Sequence, residues 1–202
     1  GVIGPGDVQW MTAAGGILHE EFHSHAFTRS GGTVEMAQLW VNLPARHKRD
    51  PAGYQSLSAA QIPVVELPGG AGAVRVIAGE LDGHAGPART FSPMDVWDLR
   101  LTAGCSARLA TPPGHTLALA VLRGTVQVND AAIARASQLV VLSREGEGVR
   151  IEANGEAVVL WLAGAPLGEP VAGYGPFVMN TQEEIRQAIE DFRAGRFGRM
   201  PD

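Results

Sequence analysis

His19 and Glu21 are the two residues whose types and spacing are best suited to chemistry. They lie in the run Ile17-Leu18-His19-Glu20-Glu21, directly after Gly15-Gly16, a pair that reads as a chain reversal. An apolar start after a turn reads as a strand, and along a strand residues i and i+2 face the same way. His19 and Glu21 then project together while Glu20 points away. An imidazole and a carboxylate on one wall of a small β-barrel are half of a metal site. One or two more histidines would complete a set suited to iron, manganese, nickel, copper or zinc, with positions left open for substrate. The same pair on a strand also describes an ordinary surface ion pair, and spacing alone does not separate the two.

His23 and His25 follow closely. On a straight continuation of the strand both would share the face of His19 and Glu21, which makes them candidate substitute ligands. Thr28-Arg29-Ser30-Gly31-Gly32 signals a turn soon after, and a strand bends before a turn. The preferred reading is therefore a loop at the barrel mouth carrying two solvated histidines. Ahead of the pair, Gly4-Pro5-Gly6-Asp7 is a turn signature, and residues 8–11 read as a short strand. Trp10 and Met11 either line a pocket or fill core.

The stretch Gly4-Pro5-Gly6-Asp7-Val8-Gln9-Trp10-Met11-Thr12-Ala13, followed by Gly16-Ile17-Leu18-His19-Glu20-Glu21, resembles the metal-site half of the pirin family of bicupins. Gln38-Leu39-Trp40-Val41-Asn42-Leu43-Pro44 resembles the next strand of that family. Gly175-Pro176-Phe177-Val178-Met179-Asn180-Thr181 and the helix after it resemble its C-terminus. The resemblance implies an all-β fold: two cupin (jelly-roll-like) β-barrels, the first incomplete, plus a C-terminal α-helix. It also implies one metal in the first cupin, held by three His and one Glu, with His19 and Glu21 as the third and fourth ligands. The first two belong to a His-x-His motif upstream of the Gly-Asp-Val-Gln-Trp-Met segment, for which this sequence has no counterpart. The chain starts at Gly1 without an initiator Met and reads as a fragment or processed product.

The implied organisation is a remainder of the metal-binding cupin over residues 1–44 and a connector over 45–62. A C-terminal cupin without metal ligands follows over 63–178, then a helix and tail over 179–202 packing on the first cupin. The connector carries Arg46, His47, Lys48, Arg49 and Asp50; His47 reads as a solvated surface residue, and Ser58 as a helix N-cap. A strand over 35–43, ended by Pro44, closes the first barrel.

Within the second domain, strands are expected at 64–67, 74–78, 94–101, 107–110, 116–122, 125–128, 139–142, 149–152 and 158–162. Asn154-Gly155, between two apolar runs, is the strongest hairpin signal. The run 116–122 is apolar apart from Thr116, and 139–142 holds no His or Glu, so no metal is expected here; an apolar lining does not replace a metal's hydration shell. His84 and His115 read as surface residues. Thr181-x-x-Glu184 is a capping box, Ile185, Ala188, Ile189 and Phe192 form a helical stripe, and Gly195 suits the position after the helix. Residues 196–202 read as a loose polar tail.

Composition narrows the function classes. At 202 residues, 45% of them hydrophobic, the chain builds one large or two small domains. The 26 Gly and 13 Pro suit many short strands and turns. A net charge of −5 leaves no basic face for phosphate backbones, so no direct nucleic-acid contact is expected. Cys105 is the single cysteine, expected as a small buried or half-buried residue on a strand ahead of a redox thiol; no intrachain disulfide is possible, which fits a cytoplasmic setting. No apolar run approaches the ~20 residues of a membrane helix, and no membrane partner is expected.

The resemblance implies a quercetin 2,3-dioxygenase-type oxidoreductase opening a flavonol ring with one divalent transition metal, Fe(II) ahead of Cu, Ni, Mn or Zn. Glu21 serves there as ligand, as general base for the flavonol hydroxyl, or as each in turn. Two other readings stay open. One is a non-catalytic metal- or redox-dependent regulator that binds a transcription factor or metabolic enzyme. The other is a truncated form that holds no metal.

Overall fold

The structure, a computed structural model, describes residues 1–200. In chain order the elements are β1 (Val8–Thr12), α1 (His25–Ser30), β2 (Gly53–Leu57), β3 (Val64–Glu66), β4 (Gly72–Ala78), β5 (Glu80–Leu81), β6 (His84–Ala85), β7 (Met94–Leu101) and β8 (Ser106–Ala110). They continue with β9 (Thr116–Arg123), β10 (Thr125–Val128), β11 (Ala132–Arg135), β12 (Gln138–Leu142), β13 (Gly148–Ala153), β14 (Ala157–Gly164), β15 (Ala172–Tyr174), β16 (Phe177–Met179) and α2 (Gln182–Arg193). The chain divides into two compact units: Pro5–Trp10 with Leu57–Leu167, and Gly1–Gly4, Met11–Ser56 and the stretch from Gly168 on. Residues 168–178, expected as the end of the second barrel, thus group with the other unit.

The larger unit is a β-barrel of two sheets. Six strands run in the order β12-β9-β14-β7-β4-β3, four in the order β11-β10-β13-β8, and every pairing is antiparallel. Period-two burial sets the inner face: β8 and β13 bury every second residue, which suits strands with one wet side. Both sheets feed one core, with Leu109, Val126 and Ile151 from the four-stranded sheet meeting Val74, Leu99 and Leu119 from the six-stranded one. Trp97 and Trp161, opposite each other in the β7–β14 ladder, stack at the centre with ring centroids 5.3 Å apart. The outer face of the six-stranded sheet is covered as well, where Ile77, Ala78 and Val96 pack with Leu57, Ile62, Val8 and Trp10.

All nine strands expected in this domain form, and β7 and β10 have the expected ends. The Asn154-Gly155 expectation fails. β13 pairs with β8 and β10, and β14 with β7 and β9, so this turn carries the chain from one sheet to the other rather than closing a hairpin. Two strands that feed one core from opposite sides carry the same apolar pattern as two hairpin strands. A tight hairpin lies instead at Asp82-Gly83, whose φ values of 48° and 80° suit the primed turn between β5 and β6.

A buried ion pair fixes the first turn of the chain on this barrel. Asp98, 6% exposed, accepts from Arg75 at 2.8 Å and Arg100 at 3.1 Å through the same Oδ2. Arg75 also donates to the Gly6 carbonyl, and Asp7 accepts from the Ala59 amide at 2.7 Å. Residues 5–10 are in this way held by charge-assisted bonds at their turn and by apolar packing at Val8 and Trp10.

The smaller unit departs further from expectation. No strand forms over residues 17–21 or 35–43. A strand persists when a neighbour takes up its N–H and C=O groups, and among the described residues nothing pairs with either stretch. Where a loop was expected, His25–Ser30 forms a short helix capped by Ser24, whose hydroxyl accepts from the Phe27 amide at 3.2 Å.

The capping expectations hold: Thr181 and Glu184 form the capping box, and Gly195, φ 71°, follows the helix, while Phe192 of the expected stripe is exposed. The buried stripe, Ile185 and Ile189, covers Ala172, Phe177 and Met179 of the β15–β16 hairpin. The tail is ordered as far as Phe197, which contacts the Phe177 and Phe192 rings at 6.2 and 6.0 Å. Residues 201–202 of the expected loose tail lie outside the described residues.

Arg75→Ala is expected to destabilise the protein by about 3 kcal/mol, because it leaves the buried Asp98 carboxylate with Arg100 alone. Urea unfolding checks this. Replacing Arg75 and Asp98 together by apolar residues should cost less than the single change.

Candidate functional site

Strand β1 leads to the candidate site. Its Trp10 is half-buried against the outer apolar cluster and donates its indole N–H to the Arg89 carbonyl at 2.9 Å, so it fills core. After β1 the chain reverses at residues 13–16, with the Gly16 amide on the Ala13 carbonyl at 2.8 Å and Ala14 at φ 45°. His19 and Glu21 follow in irregular backbone.

They still face each other. His19 Nδ1 lies 3.9 Å from Glu21 Oε1, with the side chains 48% and 38% exposed. At that exposure the attraction within the pair is weak, so little holds the two together except the local chain path. A third group reaches the carboxylate: Gln38 Nε2 lies 3.5 Å from Glu21 Oε1. His23 and His25 do not join them. The His23 ring packs edge-on against Phe27 at 5.3 Å, and His25 opens α1. Among the described residues no three His, Cys, Asp or Glu side chains converge as a metal site would require. One imidazole nitrogen and one carboxylate oxygen match the donor types of a divalent transition metal but fill at most half of its positions.

The barrel interior is apolar. Trp97, Trp161, Leu99 and Leu119 fill its centre, and His84 is exposed at the β5–β6 turn. His115 corrects an expectation: it is half-buried, and its Nδ1 is enclosed with no hydrogen-bond partner among the described residues. Near it, burial pushes the Asp95 carboxyl up, against the opposing pull of the Glu80 amide and the His115 charge. Cys105 is half-buried beside the main core, just ahead of β8 rather than on it.

Two basic side chains outside the pair are more enclosed than their sequence suggests. His47 is half-buried, not solvated, with Nδ1 on Asp50 at 2.7 Å and Nε2 taking the Arg46 Nε–H at 3.0 Å. Lys48 is 4% exposed and donates to Asn42 Oδ1 at 2.6 Å, with the Val178 carbonyl 3.5 Å away. Burial pushes its ammonium down, while the charges of Glu169 and Glu184 pull it back up. Glu169 in turn accepts from the Ala45 amide at 2.7 Å, so a buried cation and two carboxylates tie residues 42–48 to the C-terminal hairpin and helix. In sequence Lys48 is one of four basic residues in a row, and nothing there singles it out.

Residues 1–41 match the pirin family and residues 96–198 the pirin C-terminal cupin domain. A Pseudomonas aeruginosa protein provisionally named quercetin 2,3-dioxygenase is 57% identical across 98% of this chain and 68% of its own length. The chain belongs to the pirin family. Pirin of Homo sapiens is 37% identical over 98% of this chain and 67% of the human protein. Among solved structures, a quercetin 2,3-dioxygenase of Acinetobacter baumannii superposes with a TM-score of 0.93 at 49% identity, over 97% of this pirin and 68% of that chain. The all-β cupin fold expected from the sequence is thus the fold of this pirin. Among its described residues no helix is long and apolar enough to cross a membrane.

A carboxyl raised in the folded state favours folding while protonated, and that contribution is lost as pH rises from 3.8, the ordinary value, through the raised folded value. Asp95→Asn keeps an acceptor for the Glu80 amide and removes the charge. It should raise Tm at pH 7, with the gain shrinking towards pH 4; thermal melts at both pH values check this.

Proposed function

We propose that this pirin acts in the oxidative opening of a flavonol-type ring, with His19 and Glu21 as two ligands of one divalent transition metal, Fe(II) foremost. The observation that carries this reading is the facing of an imidazole and a carboxylate at 3.9 Å, half-exposed, in a chain whose relatives bear the name quercetin 2,3-dioxygenase. When bound, the metal supplies a Lewis acid that holds the deprotonated flavonol and brings dioxygen beside it.

The chain's own residues do the rest. His19 gives a neutral nitrogen. Glu21 gives an oxygen, and its exposed carboxylate is within reach of solvent and of a bound hydroxyl, so it takes the flavonol proton. Gln38, by donating to Glu21 Oε1, limits which way that carboxylate turns. Two donors do not hold such an ion alone, so the remaining ligands come from beyond this pair. Partners of another kind, such as a transcription factor or metabolic enzyme, belong to the reading in which metal is held without turnover.

Elemental mass spectrometry after anaerobic Fe(II) loading, beside His19→Ala and a quercetin-consumption assay in air, tests the proposal. About one metal per chain with turnover is expected, and His19→Ala should weaken metal retention at least tenfold. Equal metal content in the variant removes His19 as a ligand. Metal without turnover in the parent chain moves the function to regulation. No metal in either leaves this chain with a partial site.

A further inference from the structure

We infer that Phe197 is a positioning residue for the His19–Glu21 pair: its ring, carried by the tail beyond α2, seats on Gly16 and fixes the path of the segment that brings the two side chains together. Its effect on metal affinity rests on the metal-ligand reading of that pair; the contact does not.

The pair needs such a support. Its own attraction is damped by solvent, and His19 and Glu21 stand in irregular backbone. Gln38 restrains the Glu21 carboxylate but not the backbone that carries it. β1, the nearest element upstream, ends at Thr12.

Gly16 is where the tail reaches this segment. A Cβ at Gly16 would run into Cδ1, Cε1 and Cζ of Phe197, so the ring lies directly on the glycine backbone, and the contact requires that no side chain stand there. Gly16 has φ 130°, a conformation that favours glycine, and its amide closes the turn on the Ala13 carbonyl at 2.8 Å. His19 follows three residues on, a reach of at most about 11 Å, so a ring that pins Gly16 leaves the imidazole little room to wander.

The ring is itself held from behind. Gly195, φ 71°, turns the chain at the end of α2. The Arg196 amide donates to the Asp191 carbonyl at 2.9 Å, and its guanidinium pairs with the Asp191 carboxylate. Phe197 then meets Phe177 and Phe192, with centroids 6.2 and 6.0 Å away, and those two rings meet each other at 6.2 Å. Each spacing lies in the range of favourable ring pairs. Phe177 packs in turn on the buried Ala172, Met179 and Ile185. A path of packed side chains thus runs from a buried cluster to the glycine turn, and the half-buried Phe197 is its last link.

NMR of the metal-free 202-residue chain and Co(II) titration under argon test this, with the parent, Phe197→Ala, Phe197→Leu, Gly16→Ala and His19→Ala side by side. In the parent, an NOE between the Phe197 ring and the Gly16 Hα protons is expected. In Phe197→Ala the amides of residues 13–21 should lose heteronuclear NOE while the barrel amides keep theirs, and Co(II) binding should weaken about tenfold with its visible spectrum altered. Phe197→Leu, which keeps an apolar cover on Gly16, should recover most of both. Gly16→Ala pushes the ring off from the other side and should match Phe197→Ala, so it reports even if Phe197→Ala fails to fold; the double variant should be no worse than either. Three outcomes overturn the inference: no ring–glycine NOE in the parent, unchanged order of residues 13–21 in Phe197→Ala, or Co(II) affinity that His19→Ala lowers and Phe197→Ala does not. If no chain binds Co(II), or His19→Ala binds it as the parent does, the metal reading of the pair fails instead, and the NMR comparison alone decides whether Phe197 sets the path of this segment.

Discussion

A β-strand exists only if another strand takes up its backbone hydrogen bonds, and that requirement divides this molecule. In the barrel it is met for most strands: β7, β9 and β14, for example, each pair with a neighbour on both sides. The two sheets close on one core, so that alternate residues of each strand are dry and the rest are wet or covered. Closing the sheets demands tight corners. At Gly72 and Gly124, both at positive φ, a side chain would run into the carbonyls of Arg100 and Glu156 across the ladder. The barrel is rigid because pairing, burial and corner geometry all agree.

Residues 17–21 and 35–43 show the converse. Their sequence is that of strands: alternating or apolar runs with β-branched and aromatic residues. Yet Leu18, Met36 and Trp40 lie exposed in irregular backbone. Nothing local in those residues is wrong for a strand; the neighbour is missing from the described residues. Strand propensity reports fitness for a pleated, half-buried surface, and no propensity scale contains the neighbour that supplies it.

The same physics decides what was readable in the sequence. The barrel strands were legible because period-two burial is written into each one separately. The terminal helix was legible because its cap, stripe and final glycine are all local. The destination of the Asn154-Gly155 turn was not, since pairing partners are chosen at long range among strands with interchangeable apolar faces. The buried Arg75–Asp98 pair and Lys48 were equally hidden, for a charged residue in sequence gives no sign of being enclosed. Of the candidate site, the His19–Glu21 facing was readable from i, i+2 spacing and survives without a strand; the failure of His23 and His25 to join it follows from the Ser24 cap, which starts a helix and turns them elsewhere.

Two kinds of polar site thus coexist under different rules. His19 and Glu21 are half-exposed and loosely held, so their pairing alone stabilises little. Solvent damps the attraction between them, so the local chain path sets their positions. Thr111 and His115 sit in a frame already stitched by backbone bonds, where the penalty of enclosing an unpaired atom is incurred on folding. Their positions follow from the barrel's own backbone bonds, whereas those of His19 and Glu21 follow from the path of one irregular segment.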